Sequence, residues 1–164
     1  MQPLHEISCY NNVSFLFQLA DVDVRFFGRG GMRASAYDET IYAELVDFRP
    51  HSVVVVLGGN DVSSTSTVDG ILSAITSLVN RLQADGVVDV RLVEVPPRFK
   101  FRDPALTLRR NRGFRLAINR RLAAIGPVIR LDRRIRKKHV AKDGVHLTLE
   151  GMTLFFYILR SHIG

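Results

Sequence analysis

Four consecutive valines, Val53 to Val56, restrict the fold more than any other feature of the chain. β-branched side chains favour extended backbone, and an unbroken apolar run has no polar face to turn to water. The pattern over Ser52 to Leu57 therefore predicts a strand covered on both faces in a parallel sheet. Val68, Ile71, Leu72, Ile75, Leu78, Val79 and Leu82 follow at helical spacing, Asp85-Gly86 closes that helix, and Val88 to Val95 is the next strand. Together they make one βαβ unit.

The same alternation continues on both sides. Val22 to Phe27 has the pattern of a strand running into the turn Gly28-Arg29-Gly30-Gly31, where several backbone positions are expected to need positive φ or a close approach to a ligand. Ile41, Leu45 and Phe48 mark a helix between Tyr37 and Phe48, ended by Pro50. Beyond Pro96-Pro97 a basic loop leads to a helix carrying Phe114, Ala117, Ile118, Leu122 and Ile125, then to a short strand near Val128 to Leu131. A last helix is expected from about Thr148, burying Met152, Phe155, Phe156 and Leu159 against the sheet. Four strands and about four helices in alternation, with no repeats, define an α/β chain.

With 164 residues, 46% of them apolar, the chain suits one domain with a sizeable core. The single cysteine, Cys9, excludes an internal disulfide framework and a cysteine-based zinc cluster, and fits a reducing compartment. The first twenty residues lack the pattern of a secretory leader, and no stretch approaches the roughly 18 apolar residues of a membrane span. The expectation is a cytoplasmic or otherwise intracellular protein with no membrane partner. The net charge of +7 is uneven: Arg98 to Lys138 holds fifteen Lys and Arg against Asp103 and Asp132, a local charge of +13.

In open parallel sheets ligands bind beyond the carboxyl ends of the strands, where loops and helix N-termini present free N–H groups. Three elements are expected there: the glycine turn 28–31, the loop Gly58-Gly59-Asn60-Asp61, and Asp143-Gly144-Val145-His146 before the last helix. A side-chain amide such as Asn60 can donate to a developing oxyanion, and Gly31 can bring its N–H to the same atom unobstructed. Asp143, three residues before His146, is close enough to hold the imidazole in the tautomer whose other nitrogen serves as general base. Taken singly each block also has a bland reading, a turn or a solvated histidine. Asp61 is expected to hold its loop through hydrogen bonds to its own backbone, and His5, His51, His139 and His162 to be structural or solvated.

The Gly58-Gly59-Asn60-Asp61 and Asp143-Gly144-Val145-His146 blocks, in this order, resemble those of the SGNH, or GDSL-like, hydrolase superfamily. The second continues through Leu147-Thr148-Leu149-Glu150-Gly151 into a final helix much as that family does. The resemblance covers about residues 22 to 160, with the glycine turn similar to the family's second block. It implies a three-layer α/β/α sandwich with a mostly parallel, flavodoxin-like sheet, in one domain over 1–164 with 1–20 an atypical N-terminal segment. It also implies ester hydrolysis through a serine-bound acyl intermediate, without metal or cofactor. In that reading His146 is the general base, Asp143 its orienter, and Gly31 and Asn60 the oxyanion donors.

The sequence departs from the family at its first block, a strand ending in Gly-Asp-Ser, which is absent. The first strand is therefore expected to be missing or degenerate, leaving a gap in the middle of the sheet. The nucleophile is unknown; Ser8 is a weak candidate, with Ser14 behind it. Two alternatives stay open. One is an esterase acting on a small-molecule or acyl ester. The other is a non-catalytic module of the same fold, a pseudoenzyme or a truncated relative. That module would bind nucleic acid or another polyanion through Arg109, Arg110, Arg112, Arg115, Arg120, Arg121, Arg133, Arg134, Arg136, Lys137 and Lys138. The sequence leaves the oligomeric state open.

Overall fold

The computed structural model describes residues 23–131 and 134–163. The expected βαβ unit is its centre. Strand β1 (Ser52–Val55) pairs in parallel with β2 (Asp89–Val93), with Ser52 opposite Asp89 and Val55 opposite Leu92. β2 pairs in parallel with the short β3 (Val128–Ile129), and the order is β1-β2-β3. Four α-helices accompany them among the described residues: α1 (Glu39–Asp47), α2 (Val68–Ala84), α3 (Leu108–Arg121) and α4 (Leu149–Ile163).

Strand alternation assigns the two faces. Val53, Val55, Val90, Leu92 and Val128 belong to a core shared with Ile71, Leu72, Ile75, Leu78, Val79 and Leu82 of α2 and Ile118 of α3. Val54, Val93 and Ile129 join a second core with Phe155, Phe156, Ile158 and Leu159 of α4. Helices thus cover both faces of the sheet in a three-layer α/β/α sandwich. The six buried side chains of α2 alone represent on the order of 10 kcal/mol of transfer free energy.

Local chemistry sets the helix boundaries. Asp38 Oδ1 accepts from Thr40 N and Ile41 N to start α1, and Thr67 and Thr107 do the same for α2 and α3 through Gly70 N and Arg110 N. Thr148 Oγ1 accepts from Gly151 N at the start of α4, where the sequence places it. α1 stops at Arg49, whose φ of 52° is the left-handed conformation that ends helices, followed by Pro50.

Two expectations need correction. Residues 23–27 form no strand: Val24 packs into the second core, Phe26 meets Phe156 edge-on at 5.9 Å, and Phe27 lies 5.8 Å from Phe48. The segment packs through its side chains, but its backbone makes no ladder with the described residues, and a ladder is what distinguishes a strand from extended chain. Three strands, not four, are therefore present among the described residues. β1 carries β2 on one edge and no described strand on the other. The two-sided coverage expected of the valine run is correspondingly partial: Val55 is buried, Val53 and Val54 are half-buried, and Val56 is 45% exposed.

Candidate active site

Three loops converge beyond the carboxyl edge of the sheet. The first two are tied together by the Asn60-Asp61 pair. After β1 the chain turns at Gly58, whose φ of +97° only glycine adopts easily. Asn60 then donates through Nδ2 to Met32 O at 2.8 Å. The buried Asp61 accepts from Ala34 N and Ser35 N, both at 2.9 Å. Asp61 thus holds its neighbour loop rather than its own backbone, a contact 26 and 27 residues distant in sequence.

In the glycine turn, Gly31 alone has positive φ, +80°, so the expectation of several such positions reduces to one. Met32 N closes the turn on Arg29 O at 3.3 Å. Among the described residues the Gly31 N–H donates to no acceptor, and only one of the two Asn60 Nδ2 hydrogens is engaged. One backbone donor and one side-chain donor therefore remain on two loops joined by the Asn60 bond to Met32 O, and both are donor types that can serve an oxyanion.

The third loop is a hairpin that presents the histidine. Val140 bridges Leu147 in antiparallel fashion, Ala141 N donates to His146 O at 2.8 Å, and Gly144 N donates to Ala141 O at 2.9 Å. At its tip Asp143 Oδ1 accepts from Val145 N at 2.9 Å and His146 N at 3.0 Å, while Oδ2 lies 2.5 Å from His146 Nδ1. The His146 hydrogen bond and these two backbone N–H groups pull the Asp143 pKa down to about 2. An ionised carboxylate only accepts, so the neutral imidazole carries its proton on Nδ1 and leaves the Nε2 lone pair free. The His146 side chain is 79% exposed. No described serine hydroxyl hydrogen-bonds to it, and Ser8 and Ser14 lie outside the described residues.

The loop after β2 joins these parts, and sequence reasoning missed it. Phe99 N and Lys100 N both donate to Gly144 O, at 2.8 and 3.2 Å. Gly144 has φ +72°, and a Cβ there would stand 2.9 Å from Lys100 N, so only glycine lets the hairpin close against this loop. Asp103 accepts from Ser64 N at 2.7 Å and Ala105 N at 2.9 Å. Asn119 of α3 pairs with both polar groups of the Val95 backbone, at 2.9 and 3.2 Å, and Glu94 accepts from Leu131 N at 3.0 Å. The one available signal was position, just beyond a predicted parallel strand.

The basic run contributes several residues to internal contacts. Arg121 pairs with Asp69 at 2.6 Å and Lys138 with Glu150 at 2.8 Å. Arg110 donates to Ser64 O at 2.8 Å, and Arg115 is half-buried. His139 is structural, as expected: it is buried, its Nδ1 accepts from Arg136 N at 3.1 Å, and its Nε2 is 3.4 Å from Glu150. No helix among the described residues is long and apolar enough to cross a membrane.

No family model and no curated protein matches the sequence. Solved structures do match the fold. An acetyl xylan esterase superposes with a TM-score of 0.65 at 17% identity, over 97% of this chain and 90% of its own. A GDSL-like lipase from Bacteroides thetaiotaomicron gives 0.63 at 20% identity, over 81% of this chain and 71% of its own. A lipase/acylhydrolase from Enterococcus faecalis gives 0.60 at 21% identity, with the same coverages of 81% and 71%. The chain has the SGNH, GDSL-like hydrolase fold.

Proposed function

We propose that the chain is an ester hydrolase in which His146 acts as general base, Asp143 orients it, and the Gly31 N–H and Asn60 Nδ2–H receive the oxyanion. The 2.5 Å contact between Asp143 Oδ2 and His146 Nδ1 carries this reading. The contact occupies Nδ1 and so keeps the Nε2 lone pair for an attacking hydroxyl, and the hairpin, like the Gly31 and Asn60 loops, lies beyond the carboxyl edge of the sheet.

The imidazole Nε2 takes the proton of an attacking hydroxyl as that oxygen bonds to the ester carbonyl carbon. The carbonyl oxygen becomes negative and is met by Gly31 and Asn60, while Asp143 stabilises the imidazolium. The proton then passes to the departing alkoxide, and a water molecule repeats the sequence to release the acid. General-base assistance and one oxyanion donor each contribute on the order of 10²- to 10³-fold in such reactions. Ser8 is the first candidate for the hydroxyl.

A short-chain 4-nitrophenyl ester assay tests the reading with His146→Ala and Ser8→Ala. Turnover that His146→Ala lowers at least a hundredfold supports it; equal rates for wild type and His146→Ala reject it. Loss in Ser8→Ala assigns the nucleophile, and retained activity there removes Ser8.

A further inference from the structure

The loop from Pro96 to Asp103 is tethered along its length, and the tethers aim two guanidinium groups at the glycines of the other loops. A Cβ added at Gly59 would lie 3.6 Å from both Nε and Nη2 of Arg98, so the half-buried guanidinium lies beside Gly59. A Cβ added at Gly31 would lie 3.9 Å from Nη1 of Arg102. Each arginine thus stands beside one of the two loops that offer an oxyanion donor.

Neither guanidinium has a carboxylate or a hydrogen-bond acceptor among the described residues. The neighbouring acids are already committed. Asp61 is taken by Ala34 N and Ser35 N, Asp143 by the His146 loop, and Asp103 by Ser64 N and Ala105 N. Burial, then the like charge of Arg102, pushes the Arg98 pKa down. A half-buried cation next to a second cation is unfavourable unless an anion completes the site, and planar guanidinium forks match carboxylate and phosphate geometry.

We infer that Arg98 and Arg102 form an anion subsite at the rim of the candidate active site, which takes an ester carrying a carboxylate or phosphate group close to its scissile bond. The substrate part of this inference rests on the ester-hydrolase reading; the anion site itself does not. Anion binding would neutralise both cations and align the ester with Gly31 and Asn60.

Matched esters test the substrate class. On the acyl side 4-nitrophenyl hemisuccinate is compared with 4-nitrophenyl butyrate, and on the alcohol side 4-acetoxybenzoate with phenyl acetate. In Arg98→Gln, Arg102→Gln and the double variant, the anionic-to-neutral ratio of kcat/KM should fall at least tenfold for one pair, which also identifies the side that bears the anion. Ratios within twofold of wild type for both pairs overturn the substrate class. Should Arg98→Gln fail to fold, Arg102→Gln carries the same readout.

Calorimetric titration with inorganic phosphate tests the anion site without turnover, using wild type, His146→Ala and the double arginine variant. Binding retained in His146→Ala and weakened at least tenfold in the arginine variant supports the site; equal binding by wild type and the arginine variant overturns it. If no ester is hydrolysed, the ester-hydrolase reading fails, and this titration alone decides the anion site.

Discussion

Arg81 and Arg98 are both held close to backbone and aromatic or glycine surfaces, yet one is saturated with partners and the other has none among the described residues. Arg81, in the last turn of α2, donates to Tyr37 OH at 2.6 Å and to both oxygens of Glu39 at 2.8 and 2.9 Å, and its guanidinium lies 3.9 Å over the Tyr42 ring. Tyr42 in turn donates to Asp85 at 2.6 Å. Those hydrogen bonds push the Arg81 pKa up, whereas burial beside Arg102 pushes that of Arg98 down. A charge used to join α1 to α2 finds its partners inside the chain. A charge left open at the carboxyl edge of the sheet marks the place for a group from outside.

The largest effect separates the two regions outright. His146→Ala should lower kcat/KM by about 10³-fold or more with little change in melting temperature, because the side chain is exposed. Arg81→Ala should do the reverse, lowering the melting temperature with activity within twofold of wild type. An Arg81→Ala variant with lost activity and unchanged melting would erase the distinction.

Next in size is a substitution that tests backbone fit on the site side. A Cβ at Gly151 would stand only 2.3 Å from His139 O, so Gly151→Ala should destabilise by about 2–3 kcal/mol in urea unfolding, since neither the first turn of α4 nor the 3-10 turn Lys137–His139 can yield cheaply. Wild-type stability would mean that this turn is not seated on α4. On the structural side, Tyr42→Phe removes one partly buried hydrogen bond and should cost about 1 kcal/mol by the same measurement.

A smaller effect concerns Asp143. Its pKa is held near 2 against an ordinary 3.8, chiefly by His146. The depressed value means that its contribution to stability is fully present above about pH 4 and is lost as pH falls through about 2. In His146→Ala the carboxyl pKa should rise toward 3.8, which carboxyl-carbon NMR titration reads directly. A pKa still near 2 would credit the backbone N–H groups instead. The smallest change is Arg49→Gly, which relieves a left-handed non-glycine residue with φ of 52° and should stabilise by about 0.5–1 kcal/mol in urea unfolding. Unchanged stability would mean that the left-handed backbone at Arg49 carries no strain.

Much of the architecture was legible because it depends on short-range pattern. The helical stripe from Val68 to Leu82, the valine run and the Thr148 cap all act within a few residues, and each of these elements forms where its pattern lies. The Asp143-His146 contact was legible for the same reason, since three residues of hairpin bring the groups together. The strand expected at 22–27 was not, because alternation and β propensity describe side chains whereas a strand requires a neighbour's backbone.

Long-range geometry explains the remaining differences. Nothing local in Asn60-Asp61 announces bonds to Met32, Ala34 and Ser35, and nothing in a run of fifteen basic residues distinguishes Arg98 and Arg102 from Arg121 or Lys138. The sequence by itself determined the α/β class, the central βαβ unit, the start of the last helix and the His-Asp pair, all products of local periodicity and spacing. Only the tertiary structure decided which loops meet, which carboxylates are already occupied, and which two guanidinium groups are left facing the glycines. Those outcomes depend on distances between segments that are far apart along the chain.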